Sequence, residues 1–323
     1  MKKSFLLLAL MSAFAGTASA QSSVTIYGLF DIGLTSTRSD TSSNRIGLDS
    51  GNWYGSKLGF KGTEDLGDGL SAEFRLENGF NGDTGTAAQG GRIFGRQAYV
   101  GLTGGFGAVK LGRQWTPAYL ALGNIDPFEA GLAGDASAFL GSNIFYDIDV
   151  RMSNAITYSK SLNGVSVTLA YGLGEAAGNA AANRQLGFTA AFEKGPINVS
   201  LAYHNVNDAT GNGSAKATIV GGTCNFGPAT LHAAYDVDKT DASGVTIYDK
   251  KNALIGLSVP LGAGKILLSY IRQDDRSAAN IDSSQYALGY THALSKRTTL
   301  YTSYGYVNTN SATTVNAGIR HTF

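Results

Sequence analysis

Four histidines, one cysteine and a scatter of carboxylates are the groups in this 323-residue chain that could ligate a metal, attack a bond or carry a proton. His204, His232, His292 and His321 fall on separate segments without close metal-ligand spacing, and each reads as a solvated or interfacial side chain. Cys224 stands alone, so neither an intrachain disulfide nor a cysteine metal site can form. Gly172-Leu173-Gly174 lacks the third glycine of a dinucleotide fingerprint, and no G-x-S-x-G, H-E-x-x-H or P-loop sequence is present. The acidic run at 64–68 reads as a turn rather than a calcium loop. Neither a cofactor nor a catalytic residue follows. What remains is charge set in alternation with apolar side chains. Lys57 precedes Leu58 and Phe60, Arg75 lies between Phe74 and Leu76, and Arg151 has the parity opposite to Ile156 and Tyr158. Successive strand residues point to opposite faces, so these charges share the face turned away from the apolar one.

The elements that carry them are strands. Charged residues make up only 15% of the chain, against roughly 25% in an average soluble domain. There are 43 glycines, 16 tyrosines and 15 phenylalanines but only 5 prolines, a composition that suits twisted strands joined by tight turns. Lys2 and Lys3, the apolar stretch 5–14 and Ala18-Ser19-Ala20 read as a signal peptide over residues 1–20, with the mature chain starting at Gln21. The apolar stretch is too short to cross a bilayer core of ~30 Å. Without Lys2 and Lys3 the 24 acidic residues exceed the basic ones by one, a balance that argues against a nucleic-acid partner.

Beyond residue 21 no apolar run is long enough for a membrane helix. Period-2 alternation recurs instead, as in Ile197, Val199, Leu201 and Tyr203 against Asn198, Ser200, Ala202 and His204. A soluble sandwich would show this too, but the turns add a second signal. Seven short turn-rich connections, at 64–69, 103–107, 161–164, 193–196, 225–228, 260–264 and 293–297, alternate with eight longer polar stretches. Those stretches lie near 36–51, 81–93, 116–150, 174–183, 205–213, 239–248, 273–282 and 308–312. The pattern predicts an all-β chain forming one domain over residues 21–323, a transmembrane antiparallel β-barrel of 16 strands, with 14 or 18 left open. Lipid offers no hydrogen bonds, so such a sheet must close, and a barrel of this width keeps a wet lumen.

The chain resembles the general porins of Gram-negative bacteria, in particular the trimeric 16-stranded porins of β-proteobacterial type. Ser23-Val24-Thr25-Ile26-Tyr27-Gly28 is similar to the opening strand of that family. Ser56-Lys57-Leu58-Gly59-Phe60-Lys61-Gly62 with Glu64-Asp65-Leu66-Gly67 resembles its second strand and first turn. Gly95-Arg96-Gln97-Ala98-Tyr99-Val100-Gly101-Leu102 and Leu111-Gly112-Arg113-Gln114 resemble its fourth and fifth strands, and Gly318-Ile319-Arg320-His321-Thr322-Phe323 its last.

The resemblance implies an outer-membrane channel for passive diffusion of ions and small hydrophilic solutes, assembled as a homotrimer among lipids and lipopolysaccharide. It implies that the long third loop, 116–150, folds into the lumen and narrows it. Asp126, Glu129 and Asp135 would carry the acidic side of that constriction. Lys57, Arg96 and Arg151 match the family's basic wall, and parity adds Arg75. Pro127-Phe128-Glu129-Ala130 stands where the family has Pro-Glu-Phe-Gly, which leaves the position of Glu129 open. Arg96 sits awkwardly with parity, since it enters the lumen only if Tyr99 rather than Val100 faces outward. Phe323 matches the terminal aromatic read by the barrel-assembly machinery, and it also suits an interfacial belt. Gly28, Leu29 and Gly33 break the outward apolar pattern of the first strand, as a buried contact between subunits would.

Opposed charges across a narrow wet passage orient dipolar solutes and bias ion flow. Three carboxylates against three or four bases predict weak selectivity of undetermined sign. The competing readings are a substrate-preferring channel of the same fold, a barrel enzyme, which needs a histidine near a serine or aspartate at the rim, and a surface adhesin acting through the long loops.

Overall fold

A computed structural model describes residues 23–145 and 147–323, so the stretch read as a signal peptide, 1–20, lies outside the described residues. The strands are β1 (Ser23–Arg38), β2 (Arg45–Ser50), β3 (Lys57–Gly67), β4 (Leu70–Gly79), β5 (Gln97–Gly104), β6 (Gly107–Trp115), β7 (Arg151–Leu162), β8 (Val165–Gly172) and β9 (Gln185–Lys194). They continue with β10 (Ile197–Asn207), β11 (Ser214–Asn225), β12 (Thr230–Ala242), β13 (Val245–Leu261), β14 (Gly264–Asp275), β15 (Ser283–Ala293), β16 (Thr298–Val307) and β17 (Ala312–Thr322). Helices α1 (Pro117–Ile125) and α2 (Ser142–Phe145) lie in the connection between β6 and β7.

The sheet closes because β1 pairs antiparallel with β17 on one side and with β2 and β3 on the other. The sheet has 17 strands but sixteen positions around the barrel, since β2 and β3 follow one another along β1. β2 lies opposite residues 32–37 and β3 opposite 23–29. The second stave is therefore broken, and residues 51–56 leave the sheet at the break.

All seven short turns join their strands where the sequence places them, six at glycine-containing turns and 293–297 at a polar Ser-Lys-Arg run. Two expected loops are corrected: within 36–51, Arg45–Ser50 form β2 paired to β1, and 239–248 is paired strand. At 239–248 β12 runs on to Ala242 and β13 begins at Val245, leaving a two-residue hairpin. Ser243 (φ 49°) and Gly244 (φ 84°) supply the two positive φ angles that so tight a connection demands. The polar residues that looked like loop are paired strand, joined by Lys216–Asp241 at 3.0 Å and Lys239–Asp249 at 3.6 Å.

Alternation sorts the two faces. Val199, Leu201, Val220, Ile255 and Leu288 stand exposed on the outer face, an apolar belt that needs lipid around it. The inner neighbours are small or polar. Ala202, Ala217 and Ala234 carry too little side chain to fill the barrel, so an inserted element fills it for them. Leu122, Ile125, Leu140 and Ile144, each 1% exposed or less, pack there against Ile219, Leu254 and Ile271.

The breaks in β1 have intramolecular causes. Gly28 exchanges backbone hydrogen bonds with Phe323 at 2.9 and 3.1 Å. A Cβ on Gly28 would lie 2.1 Å from Cζ of the Phe323 ring, so the glycine is the seat of the terminal aromatic. Gly33 makes room for the Ala317 carbonyl and the Asn52 amide, and Leu29 is buried.

Candidate functional site

The barrel encloses a passage of about 1550 Å³, lined by the inner faces of the strands, by the inserted 116–150 loop and by residues 51–55. One wall is basic. Lys57 opens β3 and Arg75 lies on β4, both inward as their parity requires. Glu77, two residues on from Arg75 and 1% exposed, accepts from Arg96 Nε at 2.8 Å and Tyr27 Oη at 2.8 Å, with Lys57 Nζ at 3.5 Å. Arg75 stands 5.9 Å from the Tyr27 ring centroid. Arg151 lies 3.8 Å and Arg96 5.2 Å from the ring of Trp115, so two guanidinium groups converge on one indole. That indole is backed in turn by Tyr119, stacked at 5.2 Å. Guanidinium over an aromatic face is held by the ring quadrupole and pre-set in orientation.

The inserted loop is built from its caps inward. Thr116 Oγ1 accepts from the Tyr119 amide at 3.2 Å and Pro117 takes the first helical position, so α1 starts cleanly. His232 Nδ1 donates to the Ile125 carbonyl at 2.7 Å, and Ser258 Oγ donates to His232 Nε2 at 3.0 Å, which ties the end of α1 to β12 and β13. Asp126 then accepts three backbone amides: Phe128 at 3.0 Å, Ala130 at 3.0 Å and Ala136 at 2.9 Å. Burial pushes its carboxyl up to about 7, and the three amides oppose that shift. Glu129 and Ala130 take positive φ angles of 57° and 54°, and this turn presents Glu129 to the lumen as an exposed carboxylate. Asp135 caps the next turn through the Ser137 amide at 2.8 Å while still lining the passage.

A second segment also folds inward. Asp31, fully buried, accepts from the Trp53 amide at 3.1 Å, the Tyr54 amide at 2.8 Å and Tyr301 Oη at 2.5 Å. Residues 51–56 are thereby pinned inside the wall, where the Asn52 carbonyl accepts from the Leu132 amide at 2.7 Å. Arg320 lies 3.7 Å from the Trp53 ring, which extends the basic lining to β17.

A family model described as Gram-negative porin matches residues 7–312. The chain belongs to that family. An outer membrane porin protein of Bordetella pertussis is 33% identical over 100% of both chains. Outer membrane porin protein 32 of Delftia acidovorans is 33% identical, covering 98% of this chain and 92% of its own. Among solved structures, an anion-selective porin from Comamonas acidovorans superposes with a TM-score of 0.85 at 30% identity, over 94% of this chain and 100% of that one. The protein is thus an outer-membrane porin, a barrel through which small hydrophilic solutes diffuse.

Within this porin the residues expected to act together divide. Lys57, Arg75, Arg96 and Arg151 share one wall, and Glu129 and Asp135 line the same passage. Asp126 differs: its carboxylate is taken up by the loop's own amides, so its first task is to shape the loop. Arg96 reaches the lumen by another route than expected. Tyr99 is 8% exposed and lines the lumen, whereas Val100 (56%) and Leu102 (44%) face outward. Arg96 lies in a bend before β5, where strand parity does not bind it, and its amide donates to the Glu77 carbonyl at 3.1 Å. His204 and His232, expected as solvated or interfacial, are buried, since each faces a wall packed by the inserted loop. Lys110, Lys265 and Arg320 line the passage as well. Each sits next to an apolar residue, at Leu111, Ile266 and Ile319, so parity carried the signal for all three. Phe323 is 51% exposed at the rim.

Proposed function

We propose that this porin is a water-filled diffusion channel that prefers anions and works as a homotrimer in the lipid and lipopolysaccharide of the outer membrane. The observation that carries the preference is the lining charge. Lys57, Arg75, Arg96, Lys110, Arg151, Lys265 and Arg320 border the passage against Asp126, Glu129, Asp135 and Glu193. Glu77 takes up Arg96 and Lys57, Glu73 pairs with Lys110 at 3.0 Å and Asp149 lies 3.8 Å from Arg151. Among the described residues, however, Arg75, Lys265 and Arg320 have no carboxylate partner, and Asp126 is withdrawn by three amides, which leaves positive charge in excess. Walls of one sign concentrate counter-ions in a narrow wet passage. The relative from Comamonas acidovorans, described as anion-selective, supports the same sign. In this reading Glu129 and Asp135 face the basic wall of Lys57, Arg75, Arg96 and Arg151 and together they set the narrowest section.

Transport rather than catalysis follows from the same lining. The Ser258–His232 contact is a pairing of the kind a hydrolase would need, but the second nitrogen of His232 holds the end of α1, which marks the pair as a clamp on the loop. Residues 1–20 direct export and are removed, and the C-terminal strand ending in Phe323 is read by the barrel-assembly machinery. Swelling of liposomes containing the purified barrel tests the reading. Small carboxylate anions should enter faster than amines of equal size, and uncharged sugars at a rate set by size alone. Faster entry of amines would overturn the sign, and no swelling from inserted barrels would overturn the channel.

A further inference from the structure

Three segments that carry the basic wall meet on a side chain that does not line the passage. Arg113 lies in the Leu111-Gly112-Arg113-Gln114 stretch of β6 and shares the parity of Leu111, which is 50% exposed on the outer face. The register of β6 against β7 shifts between Gly112 and Gln114, and past that shift Trp115 lines the passage. An arginine turned away from the lumen of a membrane barrel is costly unless its donors are taken up. Here the guanidinium, whose side chain is 11% exposed, is used in three directions. Nε donates to the Gly95 carbonyl at 2.7 Å, Nη1 to Ser153 Oγ at 2.8 Å and Nη2 to Asp149 Oδ2 at 2.7 Å.

Each of these partners stands beside a residue of the site. Gly95 precedes Arg96, Asp149 and Ser153 lie two positions either side of Arg151, and Arg113 itself is two before Trp115. The second oxygen of Asp149 accepts from the Arg151 amide at 3.1 Å. Trp115 and Arg151 face each other in register, and the Thr116 amide donates to the Val150 carbonyl at 3.0 Å. Within the lumen the same residues form a strained grouping, since Arg96 and Arg151 carry like charges to one indole. Arg96 has Glu77 to hold it, at 2.8 Å. Arg151 has less: its Nε is buried without an acceptor, so its place is set by the indole face and by its backbone.

We propose that Arg113 is a positioning residue whose planar fork, from behind the wall, sets the spacing of Arg96 and Arg151 across Trp115. It thereby sharpens the anion preference proposed above, the reading on which this inference rests. A guanidinium suits the task because its donors point in fixed directions and can bridge a carbonyl and a carboxylate at once. Without it the Gly95 and Asp149 segments lose their common donor, the two cations separate, and the positive field over the indole spreads. Loss of Asp149 takes a negative charge away from Arg151, yet it removes the same tether. Positioning and simple charge therefore predict opposite signs for that residue.

Trp115, left as the single tryptophan by Trp53→Phe, reads the arrangement independently of transport. Iodide samples the charge over the indole and acrylamide its exposure. The ratio of their quenching constants should fall in R113M, fall also in D149A, and fall no further in the double variant. Heat-modifiable migration on gels verifies that each barrel has formed, and D149A carries the comparison if R113M does not fold. A ratio that rises or stays unchanged in D149A overturns the positioning role, since charge acting through space would raise it. An unchanged ratio in R113M with loss of the trimer overturns it in favour of a contact between subunits. In planar bilayers both variants should shift the reversal potential toward cations. A fallen ratio with an unmoved reversal potential overturns the part of Arg113 in selectivity. A cation-preferring wild type overturns the anion preference instead, while the quenching comparison still decides whether Arg113 positions the pair.

Discussion

Asp126 and Arg151 do different work though both carry a charge into the same passage. Asp126 spends its carboxylate on three amides of its own loop. Asp126→Ala leaves those buried donors without an acceptor, at about 1–3 kcal/mol each. The loop should lose order while the barrel keeps its thermal stability, because the closed sheet is untouched. Amide exchange at Phe128, Ala130 and Ala136 should accelerate; unchanged protection there would contradict the assignment. Arg151 is held against Trp115, with Asp149 3.8 Å away, and lines the passage. An ion passing ~8 Å from it in water gains or loses about 0.5 kcal/mol. Arg151→Glu reverses the charge and moves each ion by about 1 kcal/mol, or about fivefold at low salt. The reversal potential should shift toward cations, less so at high salt. Strand parity made Lys57, Arg75 and Arg151 legible, because a residue in a regular strand has only two faces to choose from. Parity failed for Arg96, which sits in a bend. It was silent on Asp126, whose role depends on amides brought close by a turn that no spacing rule describes.

At the scale of elements, two inward folds and one seam decide the shape of the passage. The inserted loop was legible as a long insertion, and its docking face was present in the small inward residues Ala202, Ala217 and Ala234, although their purpose was not. The inward fold at 51–56 was hidden, because it is set by Asp31, distant in sequence and buried only once β1 closes on β17. Asp31→Ala should release that fold. Trp53, 8% exposed, should then become open to an aqueous quencher in a Trp115→Phe background, and no gain in quenching would count against the anchoring role. The seam rests on Gly28 and Phe323. Gly28→Ala should displace the ring and lower the yield of folded, heat-modifiable barrel on gels. Deleting Phe323 as well should add little, since the two changes remove the same contact. Additive losses would mean that the ring acts elsewhere.

The whole molecule follows from closure. Backbone groups in lipid must be paired within the protein, so the strands form a ring, and sixteen positions leave a lumen too wide for strand side chains alone to fill. Turn spacing revealed that architecture, since glycine, with proline or asparagine in four of them, marks six of the seven short connections and a polar Ser-Lys-Arg run marks 293–297. It misplaced the 239–248 loop, where strands extend as a polar hairpin and composition no longer separates strand from loop. The lumen then inherits its sign from the inward residues of many strands at once. Single-channel recording of the purified porin in a planar bilayer across a salt gradient tests that sign most directly. Stepwise conductance that grows with salt, in groups of three, and a reversal potential on the anion side are the expected results. A reversal potential on the cation side, or folded and inserted barrels that carry no current, would contradict the account.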